Sequence, residues 1–477
     1  NRTMYWTATG ANSDNVDQAF YGSSITTNCV LEGVTIVGFG KVAISSGDNV
    51  ALKMIKCRMI GNNSKYQNTY TTGGMVVYGL IHAEDCDFLA MHTPLALLQP
   101  STATYMTNIL RRCRFRYTYG ADGSSGGGFI IDTGKRDLIL DGCEFSDSYI
   151  WTYQGFQKWS VEIVNVKDIK VFDSVIARNT YTGRSNAAFQ IDNATRVTIE
   201  RCVIRDNLKN GFGSDNGKLA AALRIAKSGA WDINNNSVIR DCFFENNQVI
   251  NQSGASGVQQ ASALSFGGGC LAIVNCSFVS NFTDTTSATS GKGATVLITG
   301  SSLSAIMINC VFDGNVVTGL TTCDMYNYSS YLTAGVDISL MIFNTVFNSD
   351  FEGYEPLIFE GKAPFMAAHC RIPGYTAGKY IMKTHGFDID NSSSRPSVAK
   401  TASQGTNGAI ALPVKGVSRQ GAPVYLGSDG FYYVAMPQLD ATNQYIRVNT
   451  TSALKKVAEV PGLKDGTGYI NRDAWGN

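Results

Sequence analysis

One short pattern recurs along this chain and constrains its fold more than any other feature. It runs apolar-x-apolar, two polar or small residues, Cys, any residue, then Phe, Ile or Met. It reads MIKCRM at Cys57, AEDCDF at Cys86, LRRCRF at Cys113 and LDGCEF at Cys143. It returns as IERCVI at Cys202, IRDCFF at Cys242, IVNCSF at Cys276, MINCVF at Cys310 and AAHCRI at Cys370. VFDSVI and IFNTVF keep the frame with Ser174 and Thr345 in the slot, and LEGVTI opens the series with Val34. From Cys57 onward the slots fall about 27–31 residues apart at first and about 25–40 apart later, the signature of a solenoid with one constant side and one side of variable loops.

Apolar residues alternate with period two on both sides of the slot, which argues for strands. Leu138 and Leu140, Ile169 and Val171, and Val197 and Ile199 lie five and three residues before it. Phe115, Phe145, Ile176, Ile204, Phe244, Phe278, Phe312 and Phe347 lie two residues after it. The phase breaks between the two sets, which marks a corner. A further strand precedes them in each coil, as in AAFQI, AAALRI, ASALSF, GATVLI and AGVDI. Three short strands per coil predict an all-β chain, a right-handed single-stranded parallel β-helix of about 12 coils. Equivalent side chains then stack at roughly 4.8 Å. Five residues after the slot, Asn62, Asn179, Asn207, Asn247, Asn281 and Asn315, with Asp350 next, predict a stacked turn.

Nine of the 12 cysteines occupy the slot, where a small apolar thiol fits. Thiols on adjacent rungs point in parallel, which disfavours a disulfide dihedral. No C-x-x-C and no Cys/His cluster has zinc spacing, so neither a metal site nor a cofactor is expected. Cys29, Cys270 and Cys323 lie off the slot and have no assignment from the sequence.

The repeat also carries a resemblance. FENN, FVSN and FDGN, ending at Asn247, Asn281 and Asn315, follow small-residue strand starts such as GGFII, GGGCLAI and GKGATVLI. The combination resembles the GGA and FxxN repeats of chlamydial polymorphic outer membrane proteins and related right-handed β-helix surface proteins of Bacteroidota. VLEGVTIVGF is similar to the first coil of the latter group. The resemblance spans roughly residues 25–385. It implies a secreted or cell-surface protein, outward-facing on an outer membrane, that serves as an adhesin or part of a surface complex and binds glycan or protein partners.

The alternative is a polysaccharide lyase or glycoside hydrolase, including a phage tailspike depolymerase, acting in a groove along the helix. That chemistry needs carboxylates as acid and base, with Lys or Arg nearby. Outward positions on the first strand of each coil hold Glu162, Gln190, Arg224, Ser265 and Asp337, with Asp132 and Asp192 just past their strand ends. The candidate catalytic set is Glu162, Arg224, Asp132 and Asp192. Gln190, Trp151, Tyr153 and Trp159 are the candidate ligand-binding set, the aromatics because rings stack on sugars. The competing reading makes the polar residues solvated strand faces and the aromatics core cover beneath long loops. His82, His92, His369 and His385 show no triad-like partners.

Net charge is +1, with 39 basic and 38 acidic residues, so nothing points to nucleic acid as a partner. No apolar run is long enough to span a membrane as a helix, so any attachment is expected through a lipid anchor outside this sequence. The chain opens on Asn1 without a signal-peptide pattern and reads as processed or truncated. The expected layout is an N-terminal cap at 1–24, the β-helix at 25–386, a Ser/Thr/Asn-rich linker at 387–408 and a small β-rich module at 409–477.

Overall fold

A computed structural model describes residues 20–368 except 23–28, 38–43, 47–50, 62–73, 92, 99–106, 121–129, 133–136, 152–160, 183–186, 212–217, 227–235, 252–257, 289, 320–322, 330–339, 344, 350–354 and 362–364, together with 424–426, 432–435 and 445–448. The chain is a parallel β-helix: strands one coil apart pair in parallel, and equivalent residues fall opposite each other. It divides into two compact units. One holds residues 1–197, 201–225 and 248–256, the other 198–200, 226–247 and 257–477.

Among the described residues, the first-unit coils around Cys113, Cys143, Ser174 and Cys202 carry four strands, one more than the sequence pattern predicts. The coil around Ser174 shows them as Val161–Val164, Asp168–Phe172, Val175–Ala177 and Thr180–Thr182. The fourth is only three residues long and buries one side chain, Tyr181, which is too little for a period-two signal. Inward rows run up each sheet. In the first-strand sheet, Met75, Leu95, Ile130, Val161 and Phe189 are in line. In the third-strand sheet, Ile36 leads to Met59, Phe88, Phe115, Phe145, Ile176 and Ile204. The Phe88 and Phe115 rings stack at 4.6 Å, and Phe115 and Phe145 at 5.1 Å. Cys29 joins the Leu52 and Ile81 row of the second-strand sheet, which explains its place off the slot.

Two corners flank the third strand and are made by single left-handed residues, and Asn165 and Asn193 make a further corner after the first strand in their coils. The one before the slot is Lys56, Asp85, Arg112, Asp173 or Arg201, with Gly33 and Gly142 in their coils. The other, four residues after the slot, is Ala90, Tyr117, Asp147, Arg178 or Asp206. One such residue turns the chain and resets the side-chain phase, so the slot Cys and the Phe two residues on both point inward. The conformation costs roughly 1–2 kcal/mol outside glycine. Rung-to-rung hydrogen bonds continue through the corner and offset it, as where Lys56 N donates to Glu84 O and Asp85 N to Arg111 O.

The second unit repeats the scheme. Phe244, Phe278, Phe312 and Phe347 stack ring on ring at 4.7–4.9 Å. Here the first and second strands fuse into single long strands, Val258–Val274 and Gly291–Ile308. Gly268 and Gly269, at φ 87 and 83, bend the first of these where a corner would otherwise stand. The GGG of GGGCLAI therefore lies mid-strand rather than at a strand start. Cys270 follows it, level with Asn236 and Ser304. Cys323 is buried with Ala261, Ala294, Leu297 and Tyr326. Val424–Leu426, Tyr432–Ala435 and Tyr445–Val448 form an antiparallel three-stranded sheet.

The stacked asparagines close the second corner. Asn179 Nδ2 donates to Asn207 Oδ1 at 2.9 Å and to Phe145 O at 3.1 Å. In the second unit, Asn281 Nδ2 donates to Asn315 Oδ1 and Phe244 O, while Asn281 Oδ1 accepts from Asn247 N and Nδ2. On the rung after Asn315, Ser349 Oγ accepts from Asn315 N and Nδ2. Asp350 and Asn62 lie outside the described residues.

The described slot thiols are buried; Cys143 Sγ donates to Leu110 O of the preceding coil at 3.3 Å and Cys276 Sγ to Ile239 O at 3.6 Å, while Cys86 and Cys113 donate to the carbonyls of Glu84 and Arg111 in their own coils. Burial pushes the Cys276 thiol well above its ordinary pKa. Ser174 fits the slot by donating to Phe172 O and accepting from Cys143 N.

Candidate functional site

The outward row of the first-strand sheet in the first unit carries the candidate chemistry. Register sets Val76, Ala96, Ile131, Glu162 and Gln190 one above another. Phe189 N donates to Ala222 O at 2.9 Å, which brings Arg224 level with Gln190 on the next rung. The strand Phe189–Asp192 extends through Asp192, so Gln190 and Asp192 lie on the same outward side two residues apart. Glu162, Gln190, Asp192 and Arg224 thus come together from three consecutive coils.

Their outward positions are not solvated strand faces, as the sequence alone would allow. Val76 and Ala96 are buried, with Tyr78 and Leu98 packed against them. Gln190 is 1% exposed, and the Arg224 and Asp192 side chains are 16% and 23% exposed. In the second unit, Ser265, Leu297 and Tyr326 occupy an equivalent row and are also buried. The first-strand sheet is enclosed on both faces, the usual condition of a parallel sheet.

Inside this row, charge is paired. Arg224 Nη1 donates to Asp192 Oδ1 at 3.2 Å, and Gln190 Nε2 donates to Asp192 Oδ2. Gln190 Oε1 and Arg224 Nε are buried and have no hydrogen-bond partner among the described residues. Burial, reinforced by the negative charge of Asp192, pushes the Glu162 carboxyl up to about 8. Burial also raises Asp192, opposed by the Arg224 charge and by the Gln190 hydrogen bond. The row therefore holds the raised Glu162 carboxyl, the Arg224–Asp192 contact, and one acceptor and one donor that are buried and unpaired among the described residues.

Other candidates fall elsewhere. Asp132 is level with Leu97 and Ile163, whereas Glu162 is level with Ile131. A three-residue strand, Ile130–Asp132, places it there, so its position just past a strand end is corrected. Trp151 lies opposite Thr182 in the fourth-strand sheet, a different sheet from Glu162. Tyr153, Trp159 and Asp337 lie outside the described residues. His82 is exposed and level with Lys53 and Ile109.

No family model, curated protein or solved structure matches this chain. The likeness to surface-protein repeats therefore rests on the quoted motifs, and the fold on the described strands. No helix among the described residues is long and apolar enough to cross a membrane.

Sequence reasoning missed the Arg224–Asp192 pair because the two were placed in different strand phases. It also missed a regular alternation of charge on successive rungs. Directly after the slot come Arg58, Asp87, Arg114 and Glu144; Arg58 and Arg114 both bond the Asp87 carboxylate. At the corners, Arg112 bonds Asp85, Arg178 bonds Asp147 and Arg201 bonds Asp173, each one coil apart. Writing the coils in register would have exposed it.

Proposed function

We propose that this chain is a secreted or cell-surface β-helix protein that binds glycan or protein partners without catalysis, as an adhesin or a component of a surface complex. The observation that carries the reading is the gathering of Glu162, Gln190, Asp192 and Arg224 from three consecutive coils on one side of a sheet, with the Asp192 and Arg224 side chains partly exposed. The same row argues against turnover, because its second carboxylate is already engaged by Arg224 and Gln190. The surface location is supported by the FxxN and small-residue motifs, and attachment through a lipid anchor elsewhere in the protein fits it.

A second reading, a polysaccharide lyase or glycoside hydrolase, draws on one observation. Two carboxyls stand on neighbouring rungs, and Glu162 is held protonated near neutrality, as a general acid must be. A panel of immobilised glycans separates the two. Wild type is expected to bind at least one glycan and to release no reducing or unsaturated ends. The double variant Glu162→Ala, Arg224→Ala is expected to bind at least tenfold more weakly. Product release by wild type that the double variant abolishes would overturn the binding reading in favour of the enzyme.

A further inference from the structure

We infer that the stacked thiols of Cys86 and Cys113 form a two-coordinate site for a soft monovalent cation of the copper(I) type, held as a linear dithiolate. The pair lies in the first unit, on adjacent rungs of the slot row. Cys57 and Cys143 continue the row on either side, and Ser174 interrupts it one rung beyond Cys143. The inference does not depend on the Glu162 row or on glycan binding.

Spacing selects the ion. Adjacent strands stand roughly 4.8 Å apart. On these two rungs the Phe88 and Phe115 rings, two residues beyond the thiols, stack at 4.6 Å. Two metal–sulfur bonds of roughly 2.3 Å laid end to end span the same distance. An ion on that axis takes the place of two thiol protons and needs no cavity beside it. Thiolate sulfur selects soft cations, and a closed-shell monovalent one accepts two collinear ligands. Zinc instead takes four ligands in a tetrahedron, and no group of three His, Cys, Asp or Glu gathers for a metal among the described residues.

These two rungs are clamped on both sides of the thiols. Just before the slots, Arg112 Nε and Nη2 donate to Asp85 Oδ1 and Oδ2 at 2.7 and 3.1 Å. Just after them, Arg114 Nε and Nη2 donate to Asp87 Oδ1 and Oδ2 at 2.5 and 2.7 Å. Bidentate pairs fix geometry as well as charge, so the sulfur spacing is held. The Cys86 and Cys113 thiols are hydrogen-bonded to each other, and the Cys113 and Cys57 thiols pull Cys86 below its ordinary range against the effect of burial. Binding breaks two S–H bonds, forms two sulfur–metal bonds and releases two protons to solvent, with no change of oxidation state. The bound unit carries one net negative charge. Arg58, which also bonds Asp87, adds a third cation beside the two carboxylates and offsets it.

Silver(I), a redox-inert probe of this class, tests the pair in the full chain carrying Cys29→Ser, which removes a half-buried thiol. Titration in chloride-free buffer is followed by near-ultraviolet thiolate-to-metal absorbance and native mass spectrometry. The tightest site is expected to hold one ion and to release two protons. X-ray absorption should find two sulfur neighbours at roughly 2.3 Å. Cys86→Ser and Cys113→Ser should each weaken that site at least tenfold. Both should keep the fold, as circular dichroism checks, because Ser174 already fills the same slot. Cys276→Ser, which alters a slot thiol of the second unit, should leave the site unchanged. Copper(I) supplied under nitrogen should displace silver from the same pair. A tightest site unmoved by both first-unit variants, or weakened equally by Cys276→Ser, would overturn the assignment. So would a single sulfur neighbour, or no uptake by the folded chain.

Discussion

At the scale of single residues, hydrogen bonding decides which side chains the coil tolerates. Asn281 accepts from one rung and donates to two carbonyl-bearing neighbours, so its truncation strands the buried Asn247 N–H and Phe244 O. Asn281→Ala should cost about 2–4 kcal/mol, with faster amide exchange at Asn247 as the local readout. Glu162 makes an opposite kind of demand. Its folded-state pKa, about 8, lies above the ordinary 4.5, so the folded chain holds the proton over a window where the unfolded chain has lost it. Stability therefore falls as pH rises from about 4.5 to about 8, because the unfolded state binds fewer protons there. Glu162→Gln should raise the unfolding midpoint at pH 8.5 and leave it unchanged at pH 4, as measured by thermal denaturation. An equal shift at both pH values would mean that charge is not the cause. The slot thiols were legible in the sequence because their spacing is periodic. The Asp192–Arg224 contact was not, because it depends on where the strand Phe189–Asp192 ends.

At the scale of strands and corners, small residues and charges set how coils fit. A Cβ on Gly293 would come within 2.7 Å of Thr285 Cγ2, since the fourth strand packs there and Thr283 Oγ1 donates to Ala294 O. This contact supplies a physical reason for the small residues of GKGATVLI. Gly293→Val should destabilise the second unit by about 1–3 kcal/mol through overpacking. Gly33→Ala, at φ +65 with nothing within 4 Å, should cost only about 1 kcal/mol of backbone strain. Comparing the two by urea denaturation separates packing from conformation. Charge alternation acts on register. Asp87 sits between Arg58 and Arg114, and its side chain is largely buried. Asp87→Arg would set three cations on successive rungs and should lower stability by about 1–2 kcal/mol, with partial recovery in 1 M salt. Asp87→Asn should lose less, and equal losses would contradict an electrostatic role. The fourth strand escaped the sequence pattern because a three-residue strand shows one inward side chain, as Thr180–Thr182 does with Tyr181.

At the scale of the molecule, the architecture follows from one geometric rule, that residues one coil apart lie in line. The rule made the parallel β-helix readable from Cys and Phe spacing, because a solenoid repeats its core row by row. Function was less readable for the same reason. The residues that form a site are separated by a whole coil, as Glu162, Gln190 and Arg224 are, and their meeting depends on loops that carry no repeat. Long-wavelength diffraction that locates sulfur by anomalous scattering tests the rule most directly. Sγ of Cys57, Cys86, Cys113 and Cys143 are expected to form one line of peaks spaced roughly 5 Å apart. Sulfur peaks scattered across separate cores, or lying at the solvent boundary, would contradict it and dissolve the Glu162 row as well.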